Sequence, residues 1–269
     1  MMSVIRAFRS EVLKFRRWSL LVGAGVMVVV STFLAYLTFH QIASGVTNPE
    51  MTDLLVSFHT SQGLISIIGQ ARALIVAIAL ILVTANLAAE WTQGTLRNLL
   101  VREPRRLRWL AGKMLALVLF VLLSMLLTLL ISSTFILILA QGQGIHTAAW
   151  TSPEGLRIGL SFLGNEVLCL IGFSTLGMLI AVLTRSVVAA VGISLAYILV
   201  FEGIIGVVAP QVTHWFPGRV FNTIVGATVP IVGPTPTQGY LAALGAALLW
   251  MVGFVVVSAV VFRRQDVNA

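Results

Sequence analysis

Long apolar runs alternate with short polar connections along the whole chain. A helix needs about 20 apolar residues to cross a membrane, and six runs are long enough to do so. They extend over residues 18–39, 68–89, 110–140, 158–183, 187–209 and 239–262. The pattern predicts an all-α fold, that of a polytopic membrane protein with six transmembrane helices.

The connections differ in length and in the structure that they predict. Only Thr184, Arg185 and Ser186 separate the fourth and fifth runs, which predicts a tight helical hairpin. The connection 210–238 instead places several prolines around an apolar stretch, 220–229, that is too short to cross. Such a segment is tolerated at membrane depth only where protein or water satisfies its backbone. We therefore expect an outer re-entrant hairpin before the last span.

The composition excludes an ordinary soluble domain. Hydrophobic residues make up 58% of the 269 residues and charged residues only 10%, whereas soluble domains carry about 25% charged residues. Nothing in the pattern separates a soluble part, so we expect residues 1–269 to form a single transmembrane domain. The one cysteine, Cys169, lies within an apolar run and is expected to be a small buried hydrophobe rather than a reactive thiol.

The positive charges mark one side of the membrane. Of the 17 Lys and Arg residues, 14 lie before the first run, in the segment 90–113, between the fourth and fifth runs, or after the sixth. Because cytoplasmic connections are enriched in Lys and Arg, this distribution predicts that both termini are cytoplasmic. The net charge of +8 thus indicates orientation and contact with lipid headgroups, and no nucleic-acid partner is expected.

The first 17 residues are amphipathic. Ile5, Phe8, Val12 and Phe15 recur at helical spacing, while basic residues occupy the other faces. This arrangement is typical of a helix that lies on the membrane surface. We therefore expect an interfacial helix over residues 1–17.

The sequence lacks motifs for catalysis or metal binding. Its only Gly-Lys pair, Gly112 and Lys113, is followed by Met114 and lacks the earlier glycine of a phosphate-binding loop. The four histidines have no metal-ligand spacing. We therefore expect no enzymatic activity and no cofactor or metal site in this chain.

A distinctive series of residues connects the second and third runs. It consists of Glu90, Gly94, Thr95, Leu96, Arg97 and Leu100, followed by Pro104, Arg108, Gly112 and Lys113. The series resembles the E-x-x-x-G-T-L-R-x-L-L signature, with a later proline, arginine and G-K pair, of the type-2 ABC exporter permeases. The amphipathic leader, the six spans and the proline-rich connection before the last span extend the resemblance over the whole chain.

The resemblance implies the architecture of an exporter subunit. Residues 1–17 would be its elbow helix, and residues 90–100 its cytoplasmic coupling helix, seated in a groove of a separate ATPase subunit. Two permease chains, identical or different, would assemble in a bacterial plasma membrane with two ATPase chains, which bind ATP and magnesium. The expected substrate is hydrophobic or amphipathic, such as a drug, a lipid or a peptide antibiotic. Contact with the ATPase would rest on Glu90, Gly94, Thr95, Leu96, Arg97 and Leu100.

Three charged residues interrupt the apolar runs at a similar depth. Counting 1.5 Å per residue from the cytoplasmic ends of the runs, Arg72 and Glu166 lie about 25 Å deep and Glu202 about 22 Å deep. An unpaired charge near the middle of a span costs roughly 3 kcal/mol. Arg72 is therefore expected to pair with Glu166 or with Glu202, either as part of a gate or substrate site or as a structural contact between spans.

The same three charges allow a function of another class. A secondary carrier or channel that needs no ATPase could use Arg72, Glu166 and Glu202 to handle ions. A membrane anchor or sensor for an ATPase is a third possibility. Co-purification with an ATPase and the dependence of transport on ATP would separate these alternatives.

Overall fold

The structure is a computed structural model, and it describes residues 8, 11–12, 18–44, 52–94, 106–228 and 238–264. Within these ranges the regular structure is helical and no strand occurs. The helices are α1 (Trp18–Ala43), α2 (Thr52–Phe58), α3 (Gly63–Gly69), α4 (Arg72–Thr92), α5 (Arg106–Gly142), α6 (Pro153–Thr184), α7 (Val187–Ala196), α8 (Glu202–Val208), α9 (Pro210–Thr213), α10 (Pro217–Gly226) and α11 (Tyr240–Arg264).

The six predicted spans are confirmed. The helices α1, α4, α5, α6 and α11, together with the continuous stretch Val187–Val208, are long and apolar enough to cross a membrane. The second span begins at Arg72 rather than at residue 68, because residues 63–69 form the separate helix α3 and a turn follows it. The fifth span contains a π-helical turn, Tyr197–Phe201, that the apolar pattern did not predict.

Two long helices form the centre of the bundle. α4 and α6 pack against each other, α1, α5 and α7 also contact α4, and α10 and α11 contact α6. Leu80 and Leu87 of α4 and Leu170 of α6 are buried in the resulting core. Many apolar side chains on the other helices, such as Val207 and Leu241, face outward, as expected for spans surrounded by lipid.

The ends of α6 explain the tight turn predicted after it. At its start the Ser152 hydroxyl accepts a hydrogen bond from the Gly155 N–H at 3.1 Å, and Pro153 occupies the first turn, where its missing N–H costs nothing. At its end Arg185 adopts a left-handed conformation with φ 53°, which reverses the chain direction. The fifth span then begins at Val187, so the predicted helical hairpin is confirmed.

Parts of the predicted architecture lie outside the described residues. Of the predicted interfacial helix only Phe8, Glu11 and Val12 are described, and they are helical. The segments 95–105 and 229–237 are also outside, so most of the predicted coupling helix and the second half of the connection before α11 have no structural account.

Candidate functional site

Helix α4 carries a charged residue near each of its ends. Arg72 is its first residue, and Glu90 lies in its last turn. Eighteen residues of helix at 1.5 Å each separate them by about 27 Å. Each is buried in a cluster of polar side chains from several helices, and we call the end of the bundle at Glu90 the basic end and the end at Arg72 the far end.

The cluster at the basic end is built around Lys113, near the start of α5. Its ammonium group donates a hydrogen bond to Glu90 Oε1 and forms a second ion pair with Glu11 Oε2 at 3.4 Å. Only 2% of Lys113 and 3% of Glu90 is exposed. One cation thus joins α4, α5 and the N-terminal segment between two carboxylates. Removing a single partner from such a buried group is costly because the other charges lose their compensation.

Aromatic rings enclose the Lys113 cluster on one side. The ammonium group lies 5.8 Å from the centre of the Trp109 ring, within the range of a cation–π interaction. Phe262 of α11 stacks on Trp109 and meets Trp91 of α4 edge to face. The last helix is therefore packed against the same junction as α4 and α5.

The predicted coupling helix differs from the structure at its start. Glu90 is continuous with the second span, and α4 ends two residues later at Thr92. Gly94 follows with φ 66°, a left-handed conformation that glycine adopts without the steric cost that a Cβ brings. Residues 90–100 therefore do not form one separate helix beginning at Glu90. The remaining predicted contact residues, Thr95, Leu96, Arg97 and Leu100, lie outside the described residues.

The cluster at the far end is built around Arg72. Its Nε donates to Glu166 Oε2 at 3.1 Å, its Nη2 donates to Cys169 Sγ at 3.2 Å, and its Nη1 donates to Asn222 Oδ1. The arginine is 4% exposed and Glu166 is fully buried. The guanidinium group thus connects α4 with two positions on α6 and one on α10. Of the two partners expected for Arg72, the structure selects Glu166.

Glu202 does not join this ion pair in the part of the chain that the structure describes. Its Oε1 accepts hydrogen bonds from the Tyr197 hydroxyl and, at 2.7 Å, from the Gly218 N–H. Tyr197 opens the π-helical turn and Glu202 follows it. Glu202, the other partner that the sequence allowed for Arg72, therefore binds the first turn of α10 instead.

Both charged groups nevertheless hold the same short helix. Gly218 and Asn222 are four residues apart in α10 and so lie on one face of it. A further contact comes from Asn165 of α6, whose Nδ2 donates to the Ile224 carbonyl at 2.9 Å and whose Oδ1 accepts from the Tyr240 hydroxyl at 2.9 Å. Helix α10 is thus bound by polar groups from three spans.

An apolar contact fixes α10 against α6. The Phe221 ring lies directly over Gly172, where a Cβ atom would collide with it, and 5.1 Å from the ring of Phe173. Phe221 is fully buried. Gly172 lies well inside the length of α6, so α10 packs alongside the span rather than only above its end.

The clusters are held together by ion pairs and hydrogen bonds. Among the described residues no group of three or more His, Cys, Asp and Glu side chains is placed to hold a metal ion. The cysteine is buried and unpaired, as predicted, although it also accepts a hydrogen bond from Arg72. The expectation that this chain has no enzymatic or cofactor chemistry remains a prediction.

Sequence reasoning missed four residues of these clusters. Glu11 lies three residues after Phe8 and four before Phe15, so the helical spacing places it on the apolar face of the leader. A charged residue on that face indicates a buried polar contact. Asn165, which lies next to Glu166 in an apolar run, is a second such indication. Asn222 and Tyr197 gave no comparable signal, because their roles depend on contacts between elements that are distant in sequence.

A comparison with curated proteins found no match. A family profile, however, matches residues 26–268, which is most of the chain and includes all of the spans except the beginning of the first. The chain therefore belongs to the family described as "Protein of unknown function (DUF2705)".

Proposed function

We propose that this chain is the membrane-spanning subunit of an ATP-driven exporter of the ABC type. It forms the path for a hydrophobic or amphipathic substrate, such as a drug, a lipid or a peptide antibiotic, and a separate ATPase subunit supplies the energy. The observation that carries the proposal is the buried Lys113 cluster, in which two residues of the resembling signature, Glu90 and Lys113, bind each other directly.

The Lys113 cluster supports a mechanical role. The connection that would contact the ATPase lies between Thr92, where α4 ends, and Arg106, where α5 begins, and the cluster joins these two helices. A push on this connection therefore reaches α4 and α5 together, and it reaches the N-terminal segment through Glu11. Rigid helices with a fixed junction transmit such a displacement, whereas independent helices would absorb it.

The proposal assigns an orientation and partners. The basic end faces the cytoplasm of a bacterial cell, in agreement with the distribution of Lys and Arg, and both termini are cytoplasmic. The leader over residues 1–17 acts as an elbow helix, residues 95–100 contact the ATPase, and α10 belongs to an outer re-entrant hairpin. Two such chains, identical or different, assemble with two ATPase subunits that bind ATP and magnesium.

The alternative of an ATPase-independent carrier or channel has less support. Ion-handling groups need access to water or to the transported ion. Arg72 and Glu166 are instead buried against each other and against α10, which is typical of a contact that holds spans together. No observation favours the carrier specifically.

Co-purification tests the proposed function. The tagged chain, expressed with the genes beside its own and solubilised in mild detergent, should retain a subunit that contains a phosphate-binding loop and hydrolyses ATP. Reconstituted in vesicles, the complex should transport a fluorescent amphipathic substrate only with ATP. Glu90→Ala should reduce transport about tenfold or more, because the cluster that joins α4 to α5 loses an ion pair.

The matched control is Arg108→Ala. Arg108 lies on α5, five residues before Lys113, and is partly exposed, so this variant should transport like the wild type. If the purified chain retains no ATPase and moves substrate under an ion gradient alone, the proposal is wrong and the carrier is favoured. If Arg108→Ala is as defective as Glu90→Ala, the Lys113 cluster has no special part in coupling.

A further inference from the structure

Glu202 is a carboxylate in the fifth span whose hydrogen bonds come from neutral groups. Its Oε1 accepts from the Tyr197 hydroxyl and, at 2.7 Å, from the Gly218 N–H. Its other oxygen, Oε2, has no hydrogen-bond or ion-pair partner in the part of the chain that the structure describes. A negative charge inside a span is costly unless a positive charge compensates it. The carboxylate is therefore held in place through one oxygen and can receive a cation at the other.

The surroundings of Glu202 are open toward the lipid. Glu202 itself is partly exposed, and none of the residues from Tyr197 to Val208 is buried. The apolar side chains of Leu199, Phe201 and Ile204 are exposed around it. This differs from Glu166, which is fully buried beside Arg72. A molecule dissolved in the bilayer can therefore approach Glu202 from the side of the fifth span.

Three aromatic rings lie next to this carboxylate. The Tyr197 ring, whose hydroxyl binds Glu202, stacks on Phe201 with 5.7 Å between the ring centres. Phe201 in turn meets the ring of Phe216, the N-cap residue of α10, edge to face at 6.0 Å. Aromatic faces attract organic cations such as quaternary ammonium groups. The rings thus provide an apolar surface that also favours positive charge.

The depth of Glu202 limits the kind of cation that it can bind. It lies about 22 Å from the cytoplasmic end of the fifth span, within a hydrocarbon layer that is about 30 Å thick. The charged headgroups of phospholipids lie outside that layer. A hard metal ion would need several oxygen ligands, whereas Glu202 offers a single carboxylate. The cation must therefore carry its own apolar groups.

A neighbouring arginine influences the same carboxylate without pairing with it. Arg219 follows Gly218 in α10 and is partly exposed. Its Nη2 lies 3.8 Å from the position that a Cβ atom on Gly206 would occupy, one helical turn after Glu202. Because Arg219 forms no ion pair with Glu202, the carboxylate keeps its free oxygen. The guanidinium charge nevertheless weakens the attraction of Glu202 for another cation.

We propose that Glu202 and the rings of Tyr197, Phe201 and Phe216 form a binding site for a lipophilic organic cation. The charge of the ligand lies against Oε2 of Glu202, and its apolar groups contact the rings and the exposed side of the fifth span. The role of the site in transport rests on the proposed function, whose amphipathic substrate it identifies as a cation. Binding itself requires this chain alone.

Binding of tetraphenylphosphonium tests the site. The purified full-length chain in phosphatidylcholine nanodiscs is dialysed to equilibrium with the radiolabelled cation, and uptake by empty nanodiscs is subtracted. Tetraphenylborate, an anion of similar shape, measures binding that needs no negative charge on the protein. The wild type should bind the cation saturably and the anion weakly or not at all.

Two variants of the site should weaken binding of the cation by different amounts. Glu202→Gln removes the charge but keeps an oxygen that accepts from the Gly218 N–H, and it should lower the affinity about tenfold or more. Phe201→Leu keeps an apolar side chain but removes a ring, and it should lower the affinity about twofold to fivefold. The matched control is Glu154→Gln, which changes an exposed glutamate at the start of α6 and should bind like the wild type.

Arg219→Gln separates loss of the site from loss of folding. This variant removes the neighbouring positive charge and should bind tetraphenylphosphonium about threefold more tightly. A gain of affinity for the cation cannot result from misfolding. If Glu202→Gln has a lowered thermal midpoint, the effect of Arg219→Gln decides the test.

The outcomes are distinct. The site would be overturned if the wild type bound no tetraphenylphosphonium above empty nanodiscs, if folded Glu202→Gln bound it like the wild type, or if Arg219→Gln bound it no more tightly. Equal losses in Glu202→Gln and Glu154→Gln would also overturn it. Because no ATPase enters this measurement, failure of the exporter proposal would appear only in the co-purification, and the cation site would then stand without a role in export.

Discussion

The Lys113 cluster and the Arg72 cluster occupy opposite ends of α4, and the buried cation has different partners in each. Lys113 lies between two carboxylates, those of Glu11 and Glu90. Arg72 faces one carboxylate, an amide oxygen and a thiol, so its cluster is neutral overall. At the basic end two anions bind the cation, whereas at the far end a single anion and two neutral acceptors do so, which keeps that site, deeper in the span, free of excess charge.

Each cluster also contains a buried polar atom with no hydrogen-bond partner among the described residues, Trp109 Nε1 at the basic end and Glu166 Oε1 at the far end. At the far end the second carboxylate oxygen of Glu166, Oε1, is buried and has no hydrogen-bond partner among the described residues. An unbonded buried acceptor costs about 1–3 kcal/mol. The Arg72 cluster is therefore less well satisfied than its three bonds suggest. Because the Lys113 cluster has an unbonded atom as well, the contrast between the two clusters lies in the partners of the cation rather than in unbonded atoms.

The largest effect is expected from removal of Lys113. Lys113→Met takes the cation from between two buried carboxylates and should lower the free energy of unfolding by about 3–5 kcal/mol. The thermal midpoint of the detergent-solubilised protein, followed by tryptophan fluorescence, measures this. Glu11→Gln, which leaves the Glu90 pair in place, should cost much less. If Lys113→Met is as stable as Arg108→Met, the cluster at the basic end contributes nothing to stability.

A double-mutant cycle tests the pairing of Arg72 with Glu166 at the far end. Glu166→Gln leaves Arg72 buried without an anion and should cost about 3 kcal/mol. The double variant Arg72→Met with Glu166→Met should be more stable than Arg72→Met alone, with a coupling of about 1–3 kcal/mol. A charge exchange, Arg72→Glu with Glu166→Arg, should recover little, because Cys169 and Asn222 are positioned for a guanidinium group on α4. Additive losses in the cycle would contradict the pairing.

The sequence predicted the spans better than the contacts between them. Apolar length alone placed all six spans, because the cost of an unsatisfied backbone in lipid leaves few alternatives. It could not predict the start of α4, where Gln70 and Ala71 form a turn inside an apolar run. Depth counting correctly brought Arg72 to the level of Glu166, but it also brought Glu202 there. Depth does not determine the direction in which a side chain points around the helix axis. Glu202 directly follows a π-helical turn and points toward α10.

The smallest effect is expected at Gly94, where α4 ends. Gly94→Ala meets no neighbouring atom within 4 Å, so its only cost is the left-handed conformation at φ 66°, about 1 kcal/mol. Gly25→Ala, inside α1 and also in open space, lacks that strain and should be neutral or slightly stabilising. The position of this small loss matters more than its size. It should reduce ATP-dependent transport by loosening the connection to the Lys113 cluster. Transport by Gly94→Ala equal to that by Gly25→Ala would mean that the left-handed conformation at the end of α4 has no part in coupling the connection to the Lys113 cluster.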